Sequence, residues 1–397
     1  MSLVLFFLFT TLNKNAFLSS ENSNIKALMK FTIAKEQLIT GLQAVQNIVS
    51  TRTTLPILSN VLLRGEGKKV ELTATDLDVA VSCAVEAEVQ KDGAFTVPVK
   101  KLFGIVRELG NNEIEVEVDE KNACKLKAGA SFYKLNGLGA DEFPPLPKFS
   151  EKKKVQIPQE KLKGMLRKTS FAVSTDETRY VLNGIFLRMK DQKITMVATD
   201  GRRLALTDEE VDLSTDSQAE FIVPTKAINE LNRLLQPKGE VTVKFSENQA
   251  LFELEGESGY SVVLITKLVE GNYPNYTQVI PAEATERVGL GREEFLQALR
   301  RAEIMTSEKS NSVKLTFSKN NLTITANTPE VGEGRESIAV NYKGKELAIA
   351  FNPGYLMDPL KALENDEVFM ELTDELSPGV IKINGPFLYV IMPMRMS

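Results

Sequence analysis

From Met29 onward the chain repeats itself three times, and a period this long restricts the fold more than any other feature of the sequence. Each repeat opens on a short strand and an amphipathic helix: Phe31-Thr-Ile33 before 35–48, Val155-Gln-Ile-Pro158 before 159–169, and Val288-Gly-Leu290 before 292–305. The openings lie 124 and 133 residues apart. Strand patterns recur at matching offsets, first at 55–64, 180–188 and 313–317, then at 72–78, 196–202 and 322–328. Within every repeat the strand–helix start comes round again, at Phe95-Thr-Val-Pro98, Phe221-Ile-Val-Pro224 and Ile349-Ala-Phe-Asn352. Proline after a strand suits the first helical turn, where its missing N–H is not needed. Alternating segments such as 114–118, 241–245 and 368–372 read as strands with one face buried.

The pattern predicts six helices and about two dozen short strands, an α+β chain of three similar domains. Helical stripes of Leu38, Leu42 and Val45, of Leu162, Met165 and Leu166, and of Phe295, Leu299 and Ala302 are expected to dock on sheets. Two Pro-rich, strand-poor stretches, 144–154 and 273–281, read as linkers and divide the chain into 29–149, 155–281 and 282–397. Residues 1–28 stand apart. Their apolar run, 3–9, is far short of the roughly 20 residues that span a bilayer. No positive charge precedes it and no small-residue cleavage site follows, which argues against a secretory signal. They are expected to be a leader, disordered or foreign to the native protein, ahead of a start at Met29.

Hydrophobic residues at 43% and charged residues at 25% describe an ordinary globular chain. The absence of histidine is more restrictive, because it removes the usual general base, the common imidazole ligand and every Ser-His or Cys-His pair. Cys83 and Cys124 are too few for a thiolate zinc site or a disulfide framework, so a reducing cytoplasm is the expected compartment. Charge is distributed unevenly. The six helical segments carry a net +5 and the remainder −10 in a chain of net −5. Basic helices on an acidic protein suit a surface that attracts a polyanion. The plainer alternative for Lys161, Lys163, Arg167 and Lys168 is a solvated helix face.

Seven segments then occur in order: Met29-Lys-Phe-Thr-Ile33, Thr54-Leu-Pro-Ile-Leu58, Arg179-Tyr180 with Leu182-Asn-Gly184, Val197-Ala-Thr-Asp-Gly-Arg-Arg-Leu204, Lys267-Leu-Val-Glu-Gly271 with Tyr273-Pro274, Asn321-Leu-Thr-Ile-Thr-Ala-Asn327 and Met392-Pro-Met-Arg395. Together with the triplication they resemble the bacterial DNA sliding clamps, the beta subunits of DNA polymerase III, over residues 29–397. The resemblance implies the DNA-clamp fold, with two helices packed on antiparallel sheets in each domain. It also implies a ring-forming, head-to-tail homodimer whose helices line a hole for duplex DNA. The implied activity is that of a processivity factor with no catalytic residues, no metal and no cofactor.

The resemblance implies three sets of site residues. For DNA, Arg52 and Tyr180 are the direct contacts, supported from helices by Lys100, Lys101, Arg107, Lys161, Arg167, Lys226 and Arg233. Thr175 and Asp176 stand where family clamps carry polar residues, and an acid there departs from the pattern. A peptide cleft for the replicative polymerase catalytic subunit, the clamp loader and other repair and replication proteins would be walled by Arg179, Leu182, Thr199, Gly201, Arg203, Leu204, Pro274, Val279, Asn352, Tyr355 and the run Val390, Ile391, Met392, Pro393, Met394 and Arg395. Its departures are Gln278 in place of an arginine, Ser310 in place of an aromatic, and Met396-Ser397 in place of a terminal leucine. At the ring seam, Tyr133 and Leu135 would face Ile304 and Met305 of a second copy.

Taken singly, these motifs have other readings. Asp200-Gly201 also suits a hairpin turn, and Met392-Pro-Met394 a buried final strand. Asp76, Asp78 and Asp200 suggest a Mg²⁺-dependent nuclease or phosphotransferase, although Asp76 and Asp200 hold equivalent places in separate repeats. A triplicated protein-only scaffold is a third possibility.

Overall fold

The structure, a computed structural model, describes residues 27–49, 55–110, 113–147, 149, 154–214, 217–256, 261–282, 284–307, 311–329 and 331–395. The chain divides into two compact units, one running through Asp76 and Ser82–Pro145, the other taking Leu77–Val81 and Leu146–Ser397. The first holds the first repeat and the second holds the other two. Six α-helices and twenty-six strands occur among the described residues.

In the first unit, Glu88–Lys91, Ala27–Ala34, Glu113–Asp119, Ala123–Ala128 and Ser131–Asn136 lie side by side in that order. Leu138–Gly139, Gly93–Pro98, Asn60–Glu66 and Lys69–Thr75 form a second run. Strand Glu113–Asp119 shows the period-two logic, with Ile114, Val116 and Val118 buried and Glu113 exposed. Helices α1 (Lys35–Val45) and α2 (Val99–Glu108) pack together. The expected stripe Leu38, Leu42 and Val45 is fully buried. Gly41 lets α1 sit close, since a Cβ there would come within 2.7 Å of the Leu72 side chain.

In the second unit, Ser261–Lys267, Gln249–Glu255, Glu240–Phe245 and Lys154–Pro158 adjoin in that order, and Gly332–Ala339, Asn321–Thr328, Val313–Ser318 and Leu347–Phe351 form a four-stranded sheet. Helix α3 (Gln159–Thr169) packs on α4 (Thr225–Leu234), α5 (Arg292–Glu303) packs on α6 (Pro353–Ala362), and α3 also touches α6. An eight-stranded antiparallel sheet joins the second and third repeats. Its order is Ala219–Pro224, Gly184–Lys190, Lys193–Thr199, Arg203–Glu210, Leu388–Ile391, Gly379–Lys382, Glu367–Leu372 and Glu286–Gly291. The join is the pairing of Arg203–Glu210 with Leu388–Ile391, which sets Leu204 opposite Val390 and Arg203 opposite Ile391.

Two local expectations change. Pro98, Pro158 and Pro224 sit one residue before their helices, at the N-cap, and no side chain caps those ends. Only at α6 does proline enter the first turn, as Pro353, where the Asn352 side chain accepts the Tyr355 N–H at 3.2 Å. Helices α1 and α5 also end short of Ile48 and Met305. Both of those residues donate three positions back, to Val45 and Ala302, and such tightened turns close an α-helix. Among the described residues no helix is long and apolar enough to cross a membrane.

Candidate functional site

The site grows from the turn between Lys193–Thr199 and Arg203–Glu210. Asp200 accepts from the Arg202 and Arg203 N–H groups at 2.9 and 3.1 Å, while the Thr199 hydroxyl donates to the Arg203 carbonyl at 2.6 Å. Gly201 has φ +84°, and a Cβ there would lie 2.9 Å from a guanidinium nitrogen of Arg179. Arg179 donates to the Asp200 carbonyl at 3.3 Å and pairs with Asp176 at 3.6 Å. The Asp-Gly turn is therefore present, and the same turn is one lip of the site. Asp200 spends its carboxylate on this turn, and Asp78 pairs with Lys267 at 3.0 Å.

The floor is apolar. Leu204 and Val390 face each other across the join and pack with Phe186, Val197 and Ile222, all buried. Val181, Leu206, Val269, Tyr273, Tyr276, Ile280 and Leu388 close around them. Tyr273 stacks on Phe186 with ring centroids 5.0 Å apart, and burial pushes its phenol pKa upward. This stacking brings in the segment that carries exposed Pro274 and Val279. Leu182 is buried at the end of the 3₁₀ segment Glu177–Leu182. Phe186, Val197, Tyr273 and Tyr276 were not among the residues expected at the site. The Tyr273-Pro274 motif pointed to one of them, but Phe186 and Val197 lie on strands that read like any core strand, and Tyr276 opens a 3₁₀ turn within the stretch read as a linker.

A second wall, joined to the lip by backbone, is the chain's last described stretch. Val390 and Ile391 are buried in the join, whereas Met392 and Met394 are 44% and 39% exposed and Arg395 is exposed. The strand ends at Ile391, so the Met-Pro-Met run lies beyond it. Pro393 is half-buried between the two methionines. Asn352 and Tyr355 begin α6 alongside, and the Tyr389 hydroxyl donates to the Tyr355 carbonyl at 2.8 Å. Gln278 is exposed, in the 3₁₀ turn Tyr276–Val279. Ser310 and Met396-Ser397 lie outside the described residues.

Arg203 differs from the other expected wall residues. Its side chain is only 10% exposed, and its guanidinium engages Asp200 at 3.0 Å, the Phe171 carbonyl at 2.6 Å and Asp358 of α6. One face lies over the Tyr355 ring, 4.3 Å from its centroid. Burial works against its charge, but Tyr389, Asp358 and Asp200 outweigh that and hold its pKa above the ordinary arginine value.

The residues expected on DNA fall in both units. Arg52 lies outside the described residues. Tyr180 is 57% exposed. Lys100 and Lys101 are exposed on α2 and make no ion pair among the described residues. Carboxylates pair with four others: Arg107 with Glu108 at 3.0 Å, Lys161 with Glu209 at 3.2 Å, Arg233 with Glu230 at 2.6 Å, and Arg167 with Glu364. Lys226 is exposed on α4, with its pKa lowered by burial against the pull of Glu230. At the expected seam, Tyr133 and half-buried Leu135 lie on Ser131–Asn136, an edge strand of the first unit. Ile304, 73% exposed, and Met305 follow α5 in the second unit.

Residues 29–147, 156–275 and 277–395 match the N-terminal, central and C-terminal domains of the DNA polymerase III beta subunit. The beta sliding clamp of Chlamydia pneumoniae is 37% identical over 368 residues, covering 93% of this chain and 99% of its own length. That of Bacillus subtilis is 33% identical over 381 residues, covering 92% and 100%. Among solved structures, the DNA polymerase III subunit beta from Pseudomonas aeruginosa gives a TM-score of 0.87 at 35% identity, and the sliding clamp from Bartonella birtlesii, crystallised bound to griselimycin, gives 0.87 at 36%. Each covers 93% of this chain and 100% of its own.

Proposed function

Because the chain belongs to the DNA polymerase III beta subunit family, the bacterial sliding clamps, we propose that it encircles duplex DNA as a head-to-tail homodimer and tethers the replicative polymerase through the apolar floor at Leu204 and Val390. It is a processivity factor and not an enzyme. Its clamp domains are 29–149, 155–281 and 282–397, and it works in the cytoplasm. A clamp must hold DNA yet slide, so sequence-independent attraction to phosphates serves it where bonds to base edges would stop it. Exposed Lys100 and Lys101 supply such attraction, with Arg52, Tyr180, Arg107, Lys161, Arg167, Lys226 and Arg233 contributing around the hole. Closing the ring requires two copies of one heterologous seam, with Tyr133 and Leu135 of one chain against Ile304 and Met305 of the other.

The observation that carries the tethering role is the buried floor ringed by the exposed side chains of Met392, Met394 and Val279. Adaptable thioethers around a dry apolar base suit peptides with varied apolar anchors, so the polymerase catalytic subunit, the clamp loader and repair proteins take turns at one site. Primer extension on a singly primed circular template, with clamp loader and polymerase, tests the function. Products should lengthen when the protein is added, and unchanged product length rejects it.

A further inference from the structure

We propose that Arg203 is a positioning residue: with Asp358 it clasps the two walls of the cleft at a fixed separation and does not itself hold the peptide. The proposal rests on the cleft reading above. Arg203 belongs to the second repeat and Asp358 to α6 of the third, so their ion pair is a side-chain tie between the repeats that adds to the backbone join of Arg203 with Ile391 and of Arg202 with Met392. The remaining sides of the guanidinium are also taken, by Asp200, the Phe171 carbonyl and the Tyr355 ring. A planar fork committed on three edges and one face has little capacity left for an incoming ligand. Its backbone lies opposite Ile391, immediately before the Met392–Arg395 wall. Asp200, which anchors Arg203, also shapes the lip that carries Gly201 and receives Arg179. The lip, the far wall and the first turn of α6 thus converge on one buried cation.

Breaking the pair should loosen the walls without removing any peptide contact. The full-length protein has two cysteines, both buried, so spin labels placed at Gln278→Cys and Arg395→Cys report the wall-to-wall distance by pulsed electron resonance. In the parent the distribution should be narrow. Asp358→Asn, which preserves shape, and Arg203→Lys, which preserves charge, should both broaden it in the absence of any peptide. In unlabelled protein each should weaken a polymerase-derived peptide by on the order of tenfold. A distribution unchanged in both variants overturns the clasp, and so does weaker binding by Arg203→Lys alone with the walls unmoved, which would make Arg203 a direct contact. The distance measurement needs no peptide. Failure of the parent to bind would therefore reject the cleft reading and leave the clasp tested separately.

Discussion

Met392 donates its backbone N–H to the Arg202 carbonyl at 3.0 Å, and Met394 donates to Ala350 at 2.8 Å, so the wall is pinned by backbone while both thioether side chains stay exposed. A side chain held out in this way adds little to the core. Met392→Ala should therefore change folding stability by less than about 0.5 kcal/mol yet weaken a polymerase-derived peptide more than tenfold, as truncating a central anchor does. Leu204→Ala should weaken the peptide similarly and also cost about 2–5 kcal/mol of stability, because Leu204 is 2% exposed in the floor. Gln278→Ala should alter neither. Calorimetric titration paired with thermal unfolding separates the three, and unchanged affinity in both the Leu204 and Met392 variants would put docking elsewhere.

At the seam, replacing Ile304 and Met305 with Asp should bury uncompensated charge against a partner and yield monomers. Ile304 is largely exposed in the single chain but Met305 is half-buried beside Gly334, so thermal unfolding of the double variant accompanies the test. Sedimentation at micromolar concentration checks this. A dimer that persists in the double variant means that the copies meet through another surface.

The carboxylates beside the basic helices compete with phosphate. Glu364→Gln frees Arg167 from its partner and should tighten binding to duplex DNA, with the log–log salt dependence steepened by about one counterion. Arg167→Ala on top should cancel the gain. Arg52→Ala should weaken DNA binding and make the salt dependence shallower while leaving a closed ring retained. Fluorescence anisotropy over a salt series reads the affinities and their slopes, and equal slopes throughout would remove both arginines from the DNA surface.

Burial pushes the Cys83 thiol up to about 11 and the Cys124 thiol up to about 12. Both folded-state values lie above the ordinary 9.0, so the stabilisation is fully present below pH 9 and is lost as pH rises toward 12, because only the unfolded chain ionises freely there. Cys83→Ala with Cys124→Ala should therefore lose less stability than the parent between pH 9 and 12. Identical losses, measured by thermal unfolding at each pH, would contradict the assignment.

The repeat, its six helices and their apolar stripes were legible because periodicity is local, and Leu38, Leu42 and Val45 announce their own burial. The lip was legible for the same reason, as an Asp-Gly turn. What paired with what was not. Arg203 and Asp358 lie 155 residues apart, and nothing in either neighbourhood marks the contact. Likewise the helical spacing that sets Arg167 on a basic face says nothing of Glu364, its partner from the third repeat. Tyr273 belongs to the floor only because a linker folds back and stacks its ring on Phe186, which is already in the buried cluster.

Encirclement is tested most directly by topology. Loaded onto nicked circular duplex DNA by a bacterial clamp loader, the protein should remain with the DNA through gel filtration in high salt and should be lost once a restriction enzyme linearises the circle. Equal loss from circular and linear DNA would mean that it binds the surface of the duplex and does not surround it.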